Sequence, residues 1–391
     1  MSSASTLIGV PAVDRRMAPV PKGSSVVFVN DPGVDATPFL YQAAREHVAR
    51  GGPVVFVGLD RPPNAVAMRL RAFGLDARAP KLVIVDGYSS GLGLDFGARH
   101  VIPDPYDPAS LAMEIERLST LYPNAFLAVD SLSTLVDRAA DPERAARDLP
   151  RIVAAFRRFP VSATVVTAWP YEGGTAPFTS AFDGVVQVSG LQGRRATTGH
   201  AFRVERAGWR ANGSDEAVAF VVREPEGVLE YIPKILVTGP FHAGKSTFVN
   251  AVSDTSISVN RLDTTVALDH GTVTMDGFTT EVFGTPGQAR FDPLLGMLAG
   301  QAMGVVLVVE SSRHYSLKRA RAMLEESGTQ HLPIVVAANR QDPSNALSPE
   351  EIARELALGD DVPVVPIDVS DPIACRALLR RLFRNVRGVV T

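Results

Sequence analysis

Residues 239–247 read GPFHAGKST, after the apolar run KILVTG (234–239) and ahead of the helical pattern TFVNAVSD. Gly239, Gly244, Lys245 and Ser246 thus stand at the spacing G-x-x-x-x-G-K-S. Few folds accept that order. The glycines let the backbone wrap an anion, while successive N–H groups and the N-terminus of the next helix point at it. Lys245 adds a point charge for β- and γ-phosphates, and the Ser246 hydroxyl is a ligand for Mg²⁺, a metal that keeps several of its waters. A loop of this kind belongs between a strand and a helix, at the carboxyl edge of a parallel sheet.

The surrounding residues supply such a sheet. From Lys234 onward the strand candidates are KILVTG, GTVTMDG (271–277), TTEVFG (279–284), AMGVVLVVE (302–310), LPIVVAAN (332–339) and VPVVPID (362–368). Ser348-Pro349-Glu350-Glu351 reads as a helix start, with a hydroxyl N-cap, proline in the first turn and a capping-box glutamate. AANRQD (337–342) follows an apolar strand, so Asn339 and Asp342 fall at a strand's carboxyl end. A carboxylate there can accept from both the ring N–H and the exocyclic amine of guanine, a pairing adenine does not offer. The final helix, from Pro372, carries Arg376, Arg380, Arg381, Arg384 and Arg387, read as a solvated face whose later members suit a helix C-terminus.

With these motifs in place, residues 234–391 resemble a Ras-like small GTPase. The narrower resemblance is to bacterial and archaeal members marked by TTVALDHG (264–271), FGTPGQARF (283–291) and NRQD in that order after the phosphate loop. It implies GTP or GDP with Mg²⁺ as ligands and a switch role. Carried over residue by residue, the nucleotide would be held by Gly239, His242, Ala243, Gly244, Lys245, Ser246, Thr247, Gly287, Asn339, Arg340, Asp342 and Val369. Thr265, with Thr264 beside it, would join Ser246 on the metal. Gln288 would orient the attacking water, so that Gln288, Lys245 and Thr265 form the catalytic set. Two positions depart from the common pattern. Gly284 stands where most Ras-like proteins carry an aspartate that holds Mg²⁺ through water. Arg340 replaces a lysine whose stem packs on the guanine loop, a role a flat guanidinium can fill. His270 is read as a packing residue. No built-in arginine finger is evident; Arg290 lies close in sequence to Gln288.

The first two hundred residues repeat the α/β pattern with different chemistry. SVVFVN (25–30), PVVFVG (53–58), KLVIVDG (81–87), AFLAVD (125–130), SATVVTAW (162–169) and DGVVQVSG (183–190) are near-continuous apolar runs with helical patterns between most of them. That is the signature of a parallel sheet covered on both faces. GHAFRVERAGWR and EAVAFVVRE look like an antiparallel addition at the edge, and EPEGVLEYIP (224–233) reads as a connector. These residues resemble a RecA/KaiC-type ATPase domain. Pro32-Gly33 and Thr37 fall where that family's phosphate loop has Pro-Gly and Thr, and Asp130 falls at its strand-end acid. The anion-binding residues are gone, however. Asn30 and Asp35 replace loop glycines, and Ala36 replaces the lysine. A carboxylate ~4 Å from a phosphate costs about 1–4 kcal/mol at effective dielectrics of 80–20. The expectation is a degenerate nucleotide loop that does not bind ATP productively, with Asp60 and Asp130 as structural relics. Trp169, Tyr171 and the loop GGTAPFT are candidate contacts of a docking or dimerisation surface, with Trp169 as a cap on the core the default reading for one aromatic at a strand end.

The expected fold class is therefore α/β, with two P-loop-type domains: residues 22–226 RecA/KaiC-like, and 234–391 Ras-like, preceded by a flexible segment 1–21. At 46% hydrophobic residues the chain is globular, and a net charge of −3 argues against nucleic acid or an anionic membrane as partner. Cys375 is the sole cysteine and cannot form an internal disulfide, the opening residues lack the apolar core of a secretory leader, and no apolar stretch reaches spanning length. A cytoplasmic location is expected. The expected function is a GTP-binding regulatory switch with slow, partner-stimulated hydrolysis, a protein regulator or effector, and possible self-association. The alternatives are a GTP-stabilised scaffold that does not hydrolyse and, last, a DNA-associated RecA-like protein.

Overall fold

The structure, a computed structural model, describes residues 5–94, 97–167, 179–192, 197–210, 216–259, 268–285, 287, 302–326 and 328–387. Thr264, Thr265, Gln288, Arg290, Trp169, Tyr171 and the first six residues of GGTAPFT (173–178) lie outside the described residues. The chain forms two compact α/β units. One comprises Met1–Ser189, Ala201–Asp215 and Phe220–Glu230; the other comprises Gly190–His200, Glu216–Ala219 and Tyr231–Thr391.

In the first unit, β1 (Ser5–Thr6) pairs antiparallel with β2 (Val20–Pro21), flanking α1 (Pro11–Met17). The segment expected to be flexible is thus ordered over residues 5–21. Its Ile8, Val10, Val13 and Met17 are fully buried, an apolar content that the polar opening masked. The main strands are β3 (Ser24–Asn30), β4 (Val54–Gly58), β5 (Leu82–Asp86), β6 (His100–Val101), β7 (Phe126–Val129), β8 (Val161–Thr167) and β9 (Gly184–Gln192). They are all parallel, in the order β9-β3-β8-β7-β4-β5-β6. The helices α2 (Thr37–Ala49), α3 (Pro63–Ala72), α4 (Pro108–Leu121), α5 (Leu132–Arg138) and α6 (Pro142–Phe156) cover both faces. Alternate residues of each strand therefore meet different layers. Val27, Val29, Val55, Val57, Leu127 and Val129 pack with the apolar faces of α4, α5 and α6. Phe28 instead meets Phe39 of α2 with ring centroids 4.8 Å apart, and Phe56 stacks on Tyr41 at 5.5 Å.

After β10 (Thr197–Ala207), β11 (Ala217–Arg223) forms a hairpin with β12 (Gly227–Glu230). The stretch read as a connector is therefore partly a strand. Its Pro and Gly mark the hairpin turn and not a linker. Gly227 has φ +100°, and a Cβ there would lie 2.6 Å from Gln42 Cδ, so the turn needs glycine for conformation and for space.

The second unit contains β13 (Lys234–Thr238), α7 (Lys245–Val252), β14 (Thr255–Val259), β15 (Leu268–Met275), β16 (Phe278–Gly284), β17 (Ala302–Glu310), α8 (His314–Glu326), β18 (Ile334–Asn339), α9 (Pro349–Glu355), β19 (Val364–Pro366) and α10 (Pro372–Arg387). The sheet order is β14-β15-β16-β13-β17-β18-β19, antiparallel through β14-β15-β16 and parallel beyond. Asp276 and Gly277, at φ +51° and +71°, make the two-residue turn between β15 and β16. The order reverses at β13, so the loop after it opens at a topological switch point, where α/β sheets bind ligands. Ser348 and Glu351 form the reciprocal capping box expected of them, at 3.3 and 2.8 Å. In α10 Cys375, Leu379, Leu382 and Val386 are buried, whereas Arg376 and Arg380 pair with Asp254 and Asp276 at the surface. The two units give the α/β class with two P-loop-type sheets.

Candidate functional site

The loop from Gly239 to Gly244 bridges β13 and α7. Gly239 adopts φ +143°, and a Cβ would fall 2.0 Å from the Val308 carbonyl oxygen; Gly244 adopts φ +108°, where a Cβ would sit 2.8 Å from Asn339 Nδ2. A side chain at 239 would strike backbone, and one at 244 would strike the Asn339 and Val369 side chains in a backbone conformation that favours glycine. Lys245 opens α7 with only 7% of its surface exposed, and its Nζ donates to the Pro240 carbonyl at 2.8 Å. Burial pulls its pKa down from 10.5 to about 8, against an opposing pull from Asp269. A buried ammonium at the N-terminus of a helix has the charge to receive an anion.

Asn339, at the end of β18, ties this loop to the next two. Its Nδ2 donates to the Ala243 carbonyl at 3.0 Å, and its Oδ1 accepts from the backbone N–H of Arg340 (3.0 Å) and of Val369 (3.4 Å). Asn339 is thus a brace, and the sequence reading of it as a base contact missed this role. Arg340, at φ +59°, pairs with Glu310 at 3.0 Å. A cavity of about 460 Å³ opens here, lined by Gly244, Thr247, Asn339, Arg340, Asp342 and the segment 366–370. Its volume and its mixture of carboxylate and backbone donors suit a nucleoside base. Val369 is buried at its edge.

His242 lies on the outer side of the loop at φ +65°, its ring 3.9 Å from that of Phe241, while Ala243 is buried. Ser246 and Thr247 are exposed on the first turn of α7. Gly287 comes close against the loop: a Cβ on it would lie 2.4 Å from Phe241 N. His270 stacks on Phe283 at 4.5 Å and lies 3.8 Å from Glu281, the packing role expected of it.

One residue near the metal position went unassigned in the sequence. Asp269, on β15, accepts a hydrogen bond from Ser246 Oγ at 2.5 Å. A hydroxyl and a carboxylate side by side are oxygen donors that suit Mg²⁺. The residues present therefore fit the metal, even though Gly284 offers no side chain.

The first unit holds a second loop, between β3 and α2, with other partners. Asp35 Oδ1 accepts from the backbone N–H of Thr37 at 2.9 Å and from its hydroxyl at 2.6 Å. Arg61 lies 3.7 Å from Asp35 and 3.8 Å from Asp60. Asn30 Nδ2 donates to the Val34 carbonyl at 2.7 Å. Asp130 is fully buried and accepts from the Leu59 and Asp60 backbone N–H groups at 2.7 and 3.0 Å. Burial raises its pKa to about 7.

Comparison with known proteins agrees with both halves. Residues 228–380 match the model of the ADP-ribosylation factor family. ADP-ribosylation factor-like protein 3 of Chlamydomonas reinhardtii is 29% identical over 129 residues, 32% of this chain and 72% of that protein. The N-terminal part is similar to circadian clock protein KaiC3 of Synechocystis, 29% identical over 153 residues, 38% of this chain and 29% of that protein. It is also similar to a UPF0273 protein of Aeropyrum pernix, 30% identical over 133 residues, 32% of this chain and 54% of that protein. This chain thus spans about a third and about half the length of the latter two relatives. A solved KaiC-like protein of Pyrococcus horikoshii OT3 aligns with a TM-score of 0.48 and 17% identity, over 59% of this chain and 99% of that one. The two resemblances read from the motifs are thus found: a small-GTPase-type C-terminal region and a RecA/KaiC-type N-terminal region. Among the described residues, no helix is long and apolar enough to cross a membrane.

Proposed function

We propose that the chain is a guanine-nucleotide switch: residues 234–391 bind GTP or GDP with Mg²⁺ and hydrolyse GTP slowly, and residues 22–226 serve as a docking or self-association module. The observation that carries this reading is Lys245, a buried ammonium in the phosphate loop beside the cavity that holds Asp342. Lys245 and the loop amides take the β- and γ-phosphates. Asp342 selects guanine by accepting from its ring N–H and exocyclic amine. Ser246 and Thr265 would hold the metal, which would supply positive charge to neutralise the phosphates. Gln288 orients the water, and Gly287 offers its backbone N–H to the γ-phosphate.

Phosphoryl transfer of this kind is mostly positioning and charge neutralisation, and a fast turnover needs an added cation in the transition state. Slow intrinsic hydrolysis, raised by a partner protein or a second copy, follows from the absence of an obvious arginine finger in the sequence. Phosphate release from purified full-length protein, with Gln288→Ala as the control, tests the reading. A rate well below one per second that falls further in the variant supports it. Many turnovers per second without a partner, or no change on removing Gln288, overturns the hydrolytic part and leaves a nucleotide-stabilised scaffold.

A further inference from the structure

In the common arrangement of this site, the carboxylate that steadies Mg²⁺ through its waters comes from the position filled here by Gly284. On the antiparallel ladder of β15 and β16, the residue directly opposite Gly284 is Asp269. We propose that Asp269 supplies this missing carboxylate, from the neighbouring strand. The inference rests on the Mg²⁺–guanine-nucleotide reading above and extends it to one residue.

Three observations converge. The first is the register, which places Asp269 across one strand spacing from Gly284. The second is aim. Ser246 Oγ donates to Asp269 Oδ2 at 2.5 Å, so the carboxylate reaches the first turn of α7. A hydroxyl whose hydrogen is committed to a carboxylate turns its lone pairs away from it, toward a cation. Outer partners of this kind orient a ligand and raise its basicity, and the same anion accepts from water bound to the metal. The third is space. A Cβ at Gly284 would lie 3.1 Å from Asp269 Cβ and 3.2 Å from its Oδ2. An aspartate at 284 would crowd Asp269 and place two like charges together. The site has room for one carboxylate, and glycine at 284 is what leaves that room to Asp269.

A purely structural role, in which Asp269 merely anchors α7 to β15, makes a different prediction, because it has no reason to depend on the metal. Full-length protein, stripped of nucleotide, is titrated with a fluorescent GDP analogue in EDTA and across a range of MgCl₂. Asp269→Asn keeps the shape and an oxygen acceptor for Ser246 but removes the charge. It is expected to raise the Mg²⁺ concentration for half-maximal nucleotide retention by about 10–100-fold, while affinity in EDTA moves less than about threefold. The exchange Asp269→Gly with Gly284→Asp returns the carboxylate to the opposite strand and is expected to recover most of that loss. An unchanged Mg²⁺ midpoint in Asp269→Asn overturns the proposal, as does an equal loss of affinity with and without the metal. If the wild-type chain fails to bind the analogue at all, the nucleotide reading itself falls, and that result is distinct from both.

Discussion

One carboxylate oxygen of Asp35 accepts two hydrogen bonds from Thr37, at 2.9 Å from the backbone N–H and 2.6 Å from the hydroxyl. In an active loop of the RecA type, amides and hydroxyl at that place would face phosphate and metal. Here a tethered anion satisfies them, and Arg61, 3.7 Å away, supplies part of the neutralising charge. With Lys245→Ala removing the other site, full-length protein is expected to show no Mg²⁺-ATP-dependent shift in melting temperature. Asp35→Ala is expected to cost about 0.5–2 kcal/mol of stability, as loss of an anion at a helix N-terminus does. Urea denaturation gives the second number; a clear ATP shift in the first experiment would contradict the loop's reading as closed.

Lys245 leads to a pH dependence. In the nucleotide-free protein its pKa is lowered from 10.5 to about 8, chiefly by burial. Between those values the unfolded chain binds more protons than the folded one, so stability rises with pH from about 8 to 10.5, by up to about 3 kcal/mol. Polyphosphate needs the ammonium. Guanine-nucleotide affinity is therefore expected to fall above about pH 8, approaching tenfold per unit, with proton uptake on binding. Calorimetry in buffers of different ionisation enthalpy measures that uptake. Lys245→Met is expected to lose both pH effects and at least tenfold in affinity, since hydrogen bonds to charged groups contribute about 1.5–3 kcal/mol.

Asn339 supplies a prediction that separates bracing from base contact. Its amide spans the Ala243 carbonyl and the Val369 N–H, one on the phosphate loop and one at the cavity edge. Asn339→Ala leaves these buried groups unpaired at about 1–3 kcal/mol. It is expected to lower the melting temperature without ligand and to weaken GDP and ADP alike. Asp342→Ala is expected to leave stability within about 0.5 kcal/mol, as at an exposed position, and to lower GDP affinity with little change for ADP. Thermal melts and competition binding of both nucleotides check the pair. Equal loss of guanine preference in both variants would show that Asn339 reads the base directly.

The strands were legible because both faces are covered. Runs such as VVFV (54–57) are buried at every residue, so their ends fall close to the ends of the apolar runs. The phosphate loop was legible because Gly239 and Gly244 are fixed by local backbone conformation. What depends on register was not. Asp269 was visible in TTVALDHG, but nothing in the linear chain says that it lies opposite Gly284. The strand Gly227–Glu230 was obscured because Glu224-Pro225-Glu226-Gly227 has the composition of a linker and the geometry of a turn. Arg340 was assigned to the base loop, while its partner Glu310 is thirty residues away and reached only through the fold.

The N-terminal segment carries the last prediction. Gly9 passes so close to α2 that a Cβ on it would lie 3.0 Å from the Ala43 carbonyl oxygen, and His47 of that helix donates from Nε2 to the Ile8 carbonyl at 3.1 Å. The same ring stacks on Phe126 at 4.3 Å, and burial lowers its pKa from 6.5 to about 4. For a base with a lowered folded pKa, the unfolded chain takes up the proton first as acid is added. Stability is complete above about pH 6.5 and falls as the pH drops toward 4, by up to about 3 kcal/mol. Asp14 opposes this: it accepts from the Ile8 and Gly9 N–H groups, and burial raises its pKa, so its protonation favours the folded state. The difference between chains isolates the histidine. His47→Gln is expected to be less stable at pH 7 but to lose less stability between pH 6.5 and 4.5 than the wild type. Urea titrations at the two pH values test this. Parallel slopes in the two proteins would mean that the segment over residues 5–21 is not held through His47.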